Sequence, residues 1–321
     1  MTKRSMICAG IDTGKYKLDL ALNTNAATLQ VDNIPEGHEV LSRWLRQRRV
    51  KRVGIEASGG YEQAVVTKLR RDGFVVKVFQ PGQVRAYAQF HLQRAKNDKI
   101  DAALIARCTA DTRKIHAPPD PRLVEMAAPL TLIEQTEADM ARLKNRLETC
   151  HDPRLRQHWT QEIRRLRAFV KAELKNLMAA IRRHRDLSER FDLIESVDGV
   201  GERTALAILV RLPEIGCLTR EQVAALVGLA PYDDDSGERQ GTRHIAGGRG
   251  RLRWSVVAAT LPASTRWNRE LVALYDRLIA KGKLHKVALI ACARKLLIFV
   301  NTVVARGTPW VRAAAPCAAS A

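Results

Sequence analysis

The chain has 321 residues, 46% of them hydrophobic and 5% aromatic. That is enough aliphatic material for two or three packed units and too much for a disordered protein. Lys and Arg number 54 against 34 Asp and Glu, a net charge of +20, which favours polyanionic partners. A membrane protein is not expected. Met1–Asp12 lacks a small-residue cleavage site, and Val287–Ala305 is interrupted by Arg294 and Lys295, leaving each side too short to span a bilayer. Cys8, Cys108, Cys150, Cys217, Cys292 and Cys317 show no CxxC or Cys/His spacing. Neither a zinc site nor a disulfide framework is expected, and a reducing cytoplasm fits.

In chain order, the apolar run Met6–Ile11 and the alternating Lys17–Leu22 predict strands, as does Ala27–Ile34. An amphipathic helix follows over Gly37–Arg49, then a strand at Arg52–Glu56 and a helix at Tyr61–Asp72. A last strand at Phe74–Phe79 is stopped by Pro81-Gly82. Three strands, helix, strand, helix, strand is the order of a ribonuclease-H-like α/β core. From Ile100 the pattern is helical, with Pro118, Pro119 and Pro121 marking a linker. Leu130–His184 has no glycine, and Pro153 divides it into two helical arms. Ile163, Leu166, Val170, Leu174, Leu177 and Ile181 form a heptad-like seam, which suits either an intramolecular hairpin or an oligomerising coiled coil. The remainder, from Phe191, is mostly helical around a polar, glycine-rich stretch at Asp233–Gly250. The expected division is therefore 1–117, 118–190 and 191–321.

Four carboxylates stand at element ends. Asp12 follows the first strand in Gly-Ile-Asp-Thr-Gly-Lys, and Glu56 ends the fourth in Ile-Glu-Ala-Ser-Gly-Gly-Tyr. Asp98 and Asp101 lie in Arg-Ala-Lys-Asn-Asp-Lys-Ile-Asp-Ala and share one face at i, i+3 of a helix. In a ribonuclease-H-like sheet the first and fourth strands are neighbours, so all four can converge. Carboxylates crowded together repel unless hard divalent cations lie between them, and two such ions can activate an attacking oxygen and stabilise a leaving one in phosphoryl transfer. Read singly, Asp12 is a turn residue and Asp98 a helix N-cap.

These three motifs resemble the Asp-Glu-Asp-Asp (DEDD) transposases of the insertion sequence one-ten family, related to Piv-type DNA invertases, over nearly the whole chain. The resemblance implies a RuvC-like N-terminal domain, a helical coiled-coil-like middle and a mostly α C-terminal transposase domain. It implies that Asp12, Glu56, Asp98 and Asp101 bind Mg2+ as catalytic carboxylates.

In the C-terminal half, Val197-Asp-Gly-Val-Gly-Glu-Arg-Thr204 is helix-hairpin-helix-like. Gly199 and Gly201 either open backbone N–H groups to a phosphate or make a tight turn between helices. Ser236, beside three aspartates, reads by itself as a serine in a solvated turn. The stretch around it, Gly-Leu-Ala-Pro, Asp-Ser-Gly and Gly-Thr-Arg-His-Ile-Ala-Gly-Gly-Arg-Gly-Arg-Leu-Arg, is similar to the family's C-terminal signature, and this implies that Ser236 is the nucleophile. The family follows its Gly-Gly-Arg with an Arg-Arg pair and Leu-Tyr, whereas here Arg253 precedes Trp254-Ser255-Val256. Arg94, Lys96, Arg239, Arg243, Arg249, Arg251 and Arg253 complete the expected nucleic-acid contacts.

The resemblance thus implies an RNA-guided DNA recombinase working through a phosphoserine. Its expected partners are double-stranded DNA, a structured guide (bridge) RNA and further copies of itself in a dimer or tetramer, in the bacterial cytoplasm at the nucleoid. Two rival readings remain. One is a RuvC-like nuclease or Holliday-junction resolvase in which water attacks. The other is a nucleic-acid scaffold with a decayed site.

Overall fold

The computed structural model describes residues 6–24, 27–92, 98–113, 115, 118–233 and 241–311, without the side chains of residues 98–100. The chain forms two compact units, Met1–Pro118 and Pro119–Ala321.

In the first unit, β1 (Cys8–Thr13), β2 (Lys17–Leu22) and β3 (Thr28–Asp32) form an antiparallel meander. The Gly14 amide closes the first hairpin on the Lys17 carbonyl at 2.9 Å. After α1 (Pro35–Gln47), β4 (Arg52–Glu56) pairs parallel to β1. After α2 (Gln63–Arg71), β5 (Val75–Phe79) pairs parallel to β4. The sheet order β3-β2-β1-β4-β5 is that of the expected ribonuclease-H-like core. Side chains alternate across a strand, so Ile11, Leu20 and Ile55 face one side. There they pack on Leu41, Trp44 and Leu45 of α1 and Val65 and Leu69 of α2.

The first strand begins and ends two residues later than expected, so Asp12 lies within it. Pro81 stops β5 as expected and also starts a helix that the sequence reading did not include, α3 (Pro81–Phe90). Proline suits the first helical position, where its missing N–H has no partner to lose. α4 (Asp98–Asp111) closes the unit, and the Tyr87 hydroxyl of α3 donates to Asp111.

In the second unit, α5 (Pro121–Thr149) and α6 (Pro153–Arg182) both open on an Asp-Pro pair. Asp120 accepts from the Arg122 amide at 2.9 Å and Asp152 from the Arg154 amide at 2.8 Å, so each side chain satisfies an N–H that the helix cannot. The two arms make an intramolecular hairpin. The seam residues Val170, Leu177 and Ile181 are buried in one core with Leu130 and Ile133 of α5 and with the helices that follow. Those are α7 (Arg185–Glu195), α8 (Glu202–Arg211), α9 (Arg220–Val227), α10 (Gly250–Pro262), α11 (Arg269–Ala280) and α12 (His285–Arg306). A π-helical turn, Ala263–Trp267, extends α10. Between α9 and α10 stand two short antiparallel strands, β6 (Pro231–Tyr232) and β7 (His244–Ile245).

Arg294 and Lys295 do not break α12. Helical periodicity keeps them off the buried stripe of Cys292, Leu296, Leu297 and Val300, and Lys295 Nζ lies 4.9 Å from the Phe299 ring centre. By length and composition alone α12 is apolar enough to cross a membrane, yet half of that stretch is buried within the protein.

Candidate active site

Gly10 and Gly54 are register partners on β1 and β4. Asp12 and Glu56 follow each by two residues, so they project from the same face of the sheet. That face carries α4, and the two glycines let it lie close. A Cβ on Gly10 would sit 2.1 Å from the Ala102 carbonyl oxygen and 2.2 Å from the Ala106 nitrogen, and one on Gly54 would sit 1.9 Å from Thr109 Oγ1. Arg52, at the start of β4, donates to the Thr112 carbonyl just past the end of α4. The helix therefore runs antiparallel to β1 and β4. Its first turn, with Asp98 at the first position and Asp101 at the fourth, lies at the strand ends that bear Asp12 and Glu56. Asp98's side chain lies outside the described residues. Asp12, Glu56 and Asp101 each have interaction partners.

One more carboxylate joins this row. Asp19 is the register partner of Asp12, and Gln30 the partner of Asp19. Asp19 is buried and accepts a 2.8 Å hydrogen bond from Gln30 Nε2. Sequence reasoning read this strand only for its alternation. The overlooked signal was an acid placed among apolar residues of a central strand, where burial demands a hydrogen-bond partner. Among the described residues no group of three or more His, Cys, Asp or Glu is close enough to hold a metal ion, and Asp98 is not part of that set. The donors the fold gathers at this edge are carboxylates, the ligand chemistry that hard divalent cations take.

The loop after Glu56 is tied down by Glu62. Its carboxylate accepts from the Ser58 amide at 3.0 Å and the Gly60 amide at 2.9 Å. Burial raises the Glu62 pKa, but hydrogen bonds from its own amide and those of Ser58 and Gly60 outweigh it and hold the carboxyl below its ordinary value. Gly59 and Gly60 have positive φ, which admits this tight return.

In the second unit, Ser236 and Arg239 lie outside the described residues, as do Arg94 and Lys96 in the first. The segment bearing Ser236 connects β6 to β7, whose pairing sets Tyr232 opposite His244. At its base Arg243 pairs with Asp233. The two glycines of the 197–204 turn differ. Gly199 is pressed on Ala263, whose Cβ would lie 2.3 Å from one added there. Gly201 is exposed at the N-cap of α8 with open space around it.

The arginines separate too. Arg249 is bound to both Glu214 oxygens at 2.7 Å and to the Arg211 carbonyl at 2.8 Å. Burial raises the Glu214 pKa, but the Arg249 hydrogen bond, its own backbone amide and the charges of Arg249 and Arg190 together outweigh it and leave it lowered. Arg253 donates to the carbonyls of Gly228 and Gly247, clamping a turn in which a Cβ on Gly248 would meet the Gly228 nitrogen at 2.3 Å. Arg251 is half exposed and touches Glu134 at 3.2 Å.

Comparison with known proteins adds to this geometry. A DEDD-type IS110 transposase model matches residues 9–153, and the model "Transposase IS116/IS110/IS902 family" matches residues 191–276. Pilin gene-inverting proteins of Moraxella lacunata and Moraxella bovis are 24% and 25% identical, each over 94% of this chain and 96% of their own length. The solved RuvC of Thermus thermophilus, alone and in complex with a Holliday junction substrate, is 23% and 18% identical over 35% of this chain and 84% of that one, with a TM-score of 0.24. Both units of the chain thus carry matches to one family, and the DEDD-type match spans the stretch that holds Asp12, Glu56, Asp98 and Asp101: the chain belongs to the IS110 family of transposases, enzymes that act on DNA.

Proposed function

We propose that the chain cuts and rejoins DNA through a covalent serine intermediate. The Ser236 hydroxyl attacks a DNA phosphodiester, forming an Oγ–phosphorus bond as the bond to one deoxyribose oxygen breaks. The proton lost by the serine is matched by the one that the departing oxygen takes up. A hydroxyl from the exchanging strand then attacks the phosphoserine and frees Ser236, so the number of phosphodiester bonds is unchanged. Asp12, Glu56, Asp98 and Asp101 would hold Mg2+, which supplies charge neutralisation at the phosphate and activation of the attacking oxygen. The single observation that most supports this reading is the seating of α4 on the Gly10–Gly54 pair, which brings its two aspartates to the strand ends of Asp12 and Glu56. That the relatives are named as gene-inverting proteins supports rejoining as well as cutting.

Arg94, Lys96, Gly201, Arg239, Arg243 and Arg251 serve in this reading as phosphate contacts. Arg249, Arg253 and Gly199, engaged within the fold, shape the loop that carries the serine. Residues 118–190 act as an assembly arm between the 1–117 catalytic part and the 191–321 transposase part. A guide RNA directs the choice of DNA, copies of the chain act together as a dimer or tetramer, and the work is done in the cytoplasm at the nucleoid.

The test is a denaturant-resistant protein–DNA adduct. Wild type forms it with Mg2+, Ser236→Ala does not, and Asp12→Ala loses both the adduct and strand exchange. Metal-dependent cutting by wild type without any adduct would replace this reading with a water-nucleophile nuclease. Wild-type strand exchange by Asp12→Ala would remove Asp12 from the mechanism, and a wild-type protein that binds DNA but neither cuts nor exchanges it would be a nucleic-acid scaffold. Sequencing the RNA that co-purifies tests guidance, and recovery of random host RNA alone would remove it.

A further inference from the structure

The second unit holds a cavity of about 690 Å³ between the start of α9, the β6–β7 pair, α11 and the first half of α12. Its floor is aliphatic, made by Leu229, Leu274, Ile290 and Ile298. Its rim is cationic, with Arg220, Arg243 and Lys286 exposed to solvent and Arg294 half-buried beside them. Counting Lys295, five Lys or Arg side chains line it against one carboxylate, Glu221. Arg243 is also paired to Asp233. The volume lies within the range of pockets that enclose a small organic group. An apolar floor beneath several cations does not suit a bare inorganic anion, which gains nothing from aliphatic contact. It does not suit an acidic peptide either, whose carboxylates would reach the rim and leave the floor empty. The combination matches one chemical unit that is flat and apolar at one end and anionic at the other, a nucleotide.

We infer that this cavity receives a single unstacked nucleotide of a nucleic-acid strand, the base on the Leu229–Ile298 floor and its flanking phosphates on the Arg220, Lys286 and Arg294 rim. Extruding a base costs a few kcal/mol and is least costly where the strand is already single or mismatched, as it is during strand exchange. The site lies against β6 and β7, the strands that frame the segment bearing Ser236, so it would hold a strand near the proposed chemistry. The inference rests on the nucleic-acid substrate of the proposed function and not on the serine route, and the two fail separately.

The test uses the full-length protein and single-stranded oligonucleotides carrying one 2-aminopurine, in matched DNA and RNA versions. Wild type is expected to raise the fluorescence of the bound probe, because leaving the base stack removes its quenching. Ala291→Phe fills the cavity and is expected to abolish that rise and weaken binding about tenfold, the scale of one lost base contact. Arg294→Gln, which leaves the floor intact, is expected to keep the rise and lower the slope of log affinity against log salt by about 0.7 for one lost phosphate contact. A rise confined to the DNA or to the RNA probe identifies which strand supplies the nucleotide. A probe that stays quenched on wild type overturns the inference, as does a folded Ala291→Phe that binds like wild type. If Ala291→Phe does not fold, Arg294→Gln and Lys286→Gln decide the matter, and unchanged salt slopes in both refute it. A Ser236→Ala protein is expected to bind the probe as wild type does, so loss of the covalent adduct leaves this result standing.

Discussion

Gly10→Ala tests whether the close seating of α4 is what assembles the acidic edge. The added methyl would lie 2.1 Å from the Ala102 carbonyl oxygen, where an ordinary contact begins near 3.4 Å, so helix and strand must part by about 1.3 Å. Overpacking of this kind costs about 1–3 kcal/mol. A displacement on the order of 1 Å at a reacting centre costs roughly a hundredfold in rate. Gly54→Ala is the matched control. Its nearest obstacle is the Thr109 hydroxyl, at 1.9 Å, which otherwise donates only to the Ile105 carbonyl of its own helix, at 2.6 Å. Thr109→Ala removes that obstacle and is expected to restore much of the activity of Gly54→Ala. Phe79 Cε2 at 2.9 Å and Ile105 Cγ2 at 3.1 Å remain close, so the rescue is expected to be partial. It cannot restore Gly10→Ala, whose obstacles are backbone atoms. The assay is strand exchange at saturating DNA and Mg2+, with thermal unfolding in parallel. A folded Gly10→Ala within twofold of the wild-type rate would refute the argument, as would equal rescue of both glycine variants by Thr109→Ala.

Charge pairs give three more expected outcomes. Arg249→Ala strands Glu214 and the Arg211 carbonyl and is expected to destabilise the protein by about 1–2 kcal/mol, seen as a lower Tm with the salt dependence of DNA binding unchanged. Arg251→Ala should do the reverse, holding Tm while reducing the salt slope by about 0.9 on duplex DNA. Indistinguishable variants would contradict the division. In the first unit, Lys68, with Nζ 2.6 Å away, and then Ser42 hold the Asp72 carboxyl below its ordinary range. A depressed carboxylate contributes stability above its unfolded pKa, about 3.9, and loses it as pH falls through the folded value. The Tm gap between wild type and Asp72→Asn should therefore be full above about pH 5 and narrow steadily as pH falls below about 3.9. A gap constant over that range would refute the assignment.

The order of strands and helices in the first 80 residues was legible because alternation, amphipathic spacing and glycine or proline stops all agreed there. α3 was missed because Pro81 carries opposite meanings in a strand and at a helix start, and only the surrounding contacts choose between them. The continuity of α12 through Arg294 and Lys295 was hidden for a similar reason: charge interrupts an apolar run in one dimension but not a buried stripe in three. The sequence by itself determined which acids fall at or near the ends of strands and helices, since each sits in a short motif with its own turn chemistry. Only the tertiary structure decided how the elements that bear them lie against one another. Register pairs Asp12 with Asp19 across one hairpin, and Gly10 with Gly54, too far apart for any local pattern to relate, and the missing side chains at the two glycines let α4 lie down on the sheet. It likewise sorted the arginines, because a guanidinium turned inward to Glu214 or to the Gly247 carbonyl reads the same in sequence as one left facing solvent.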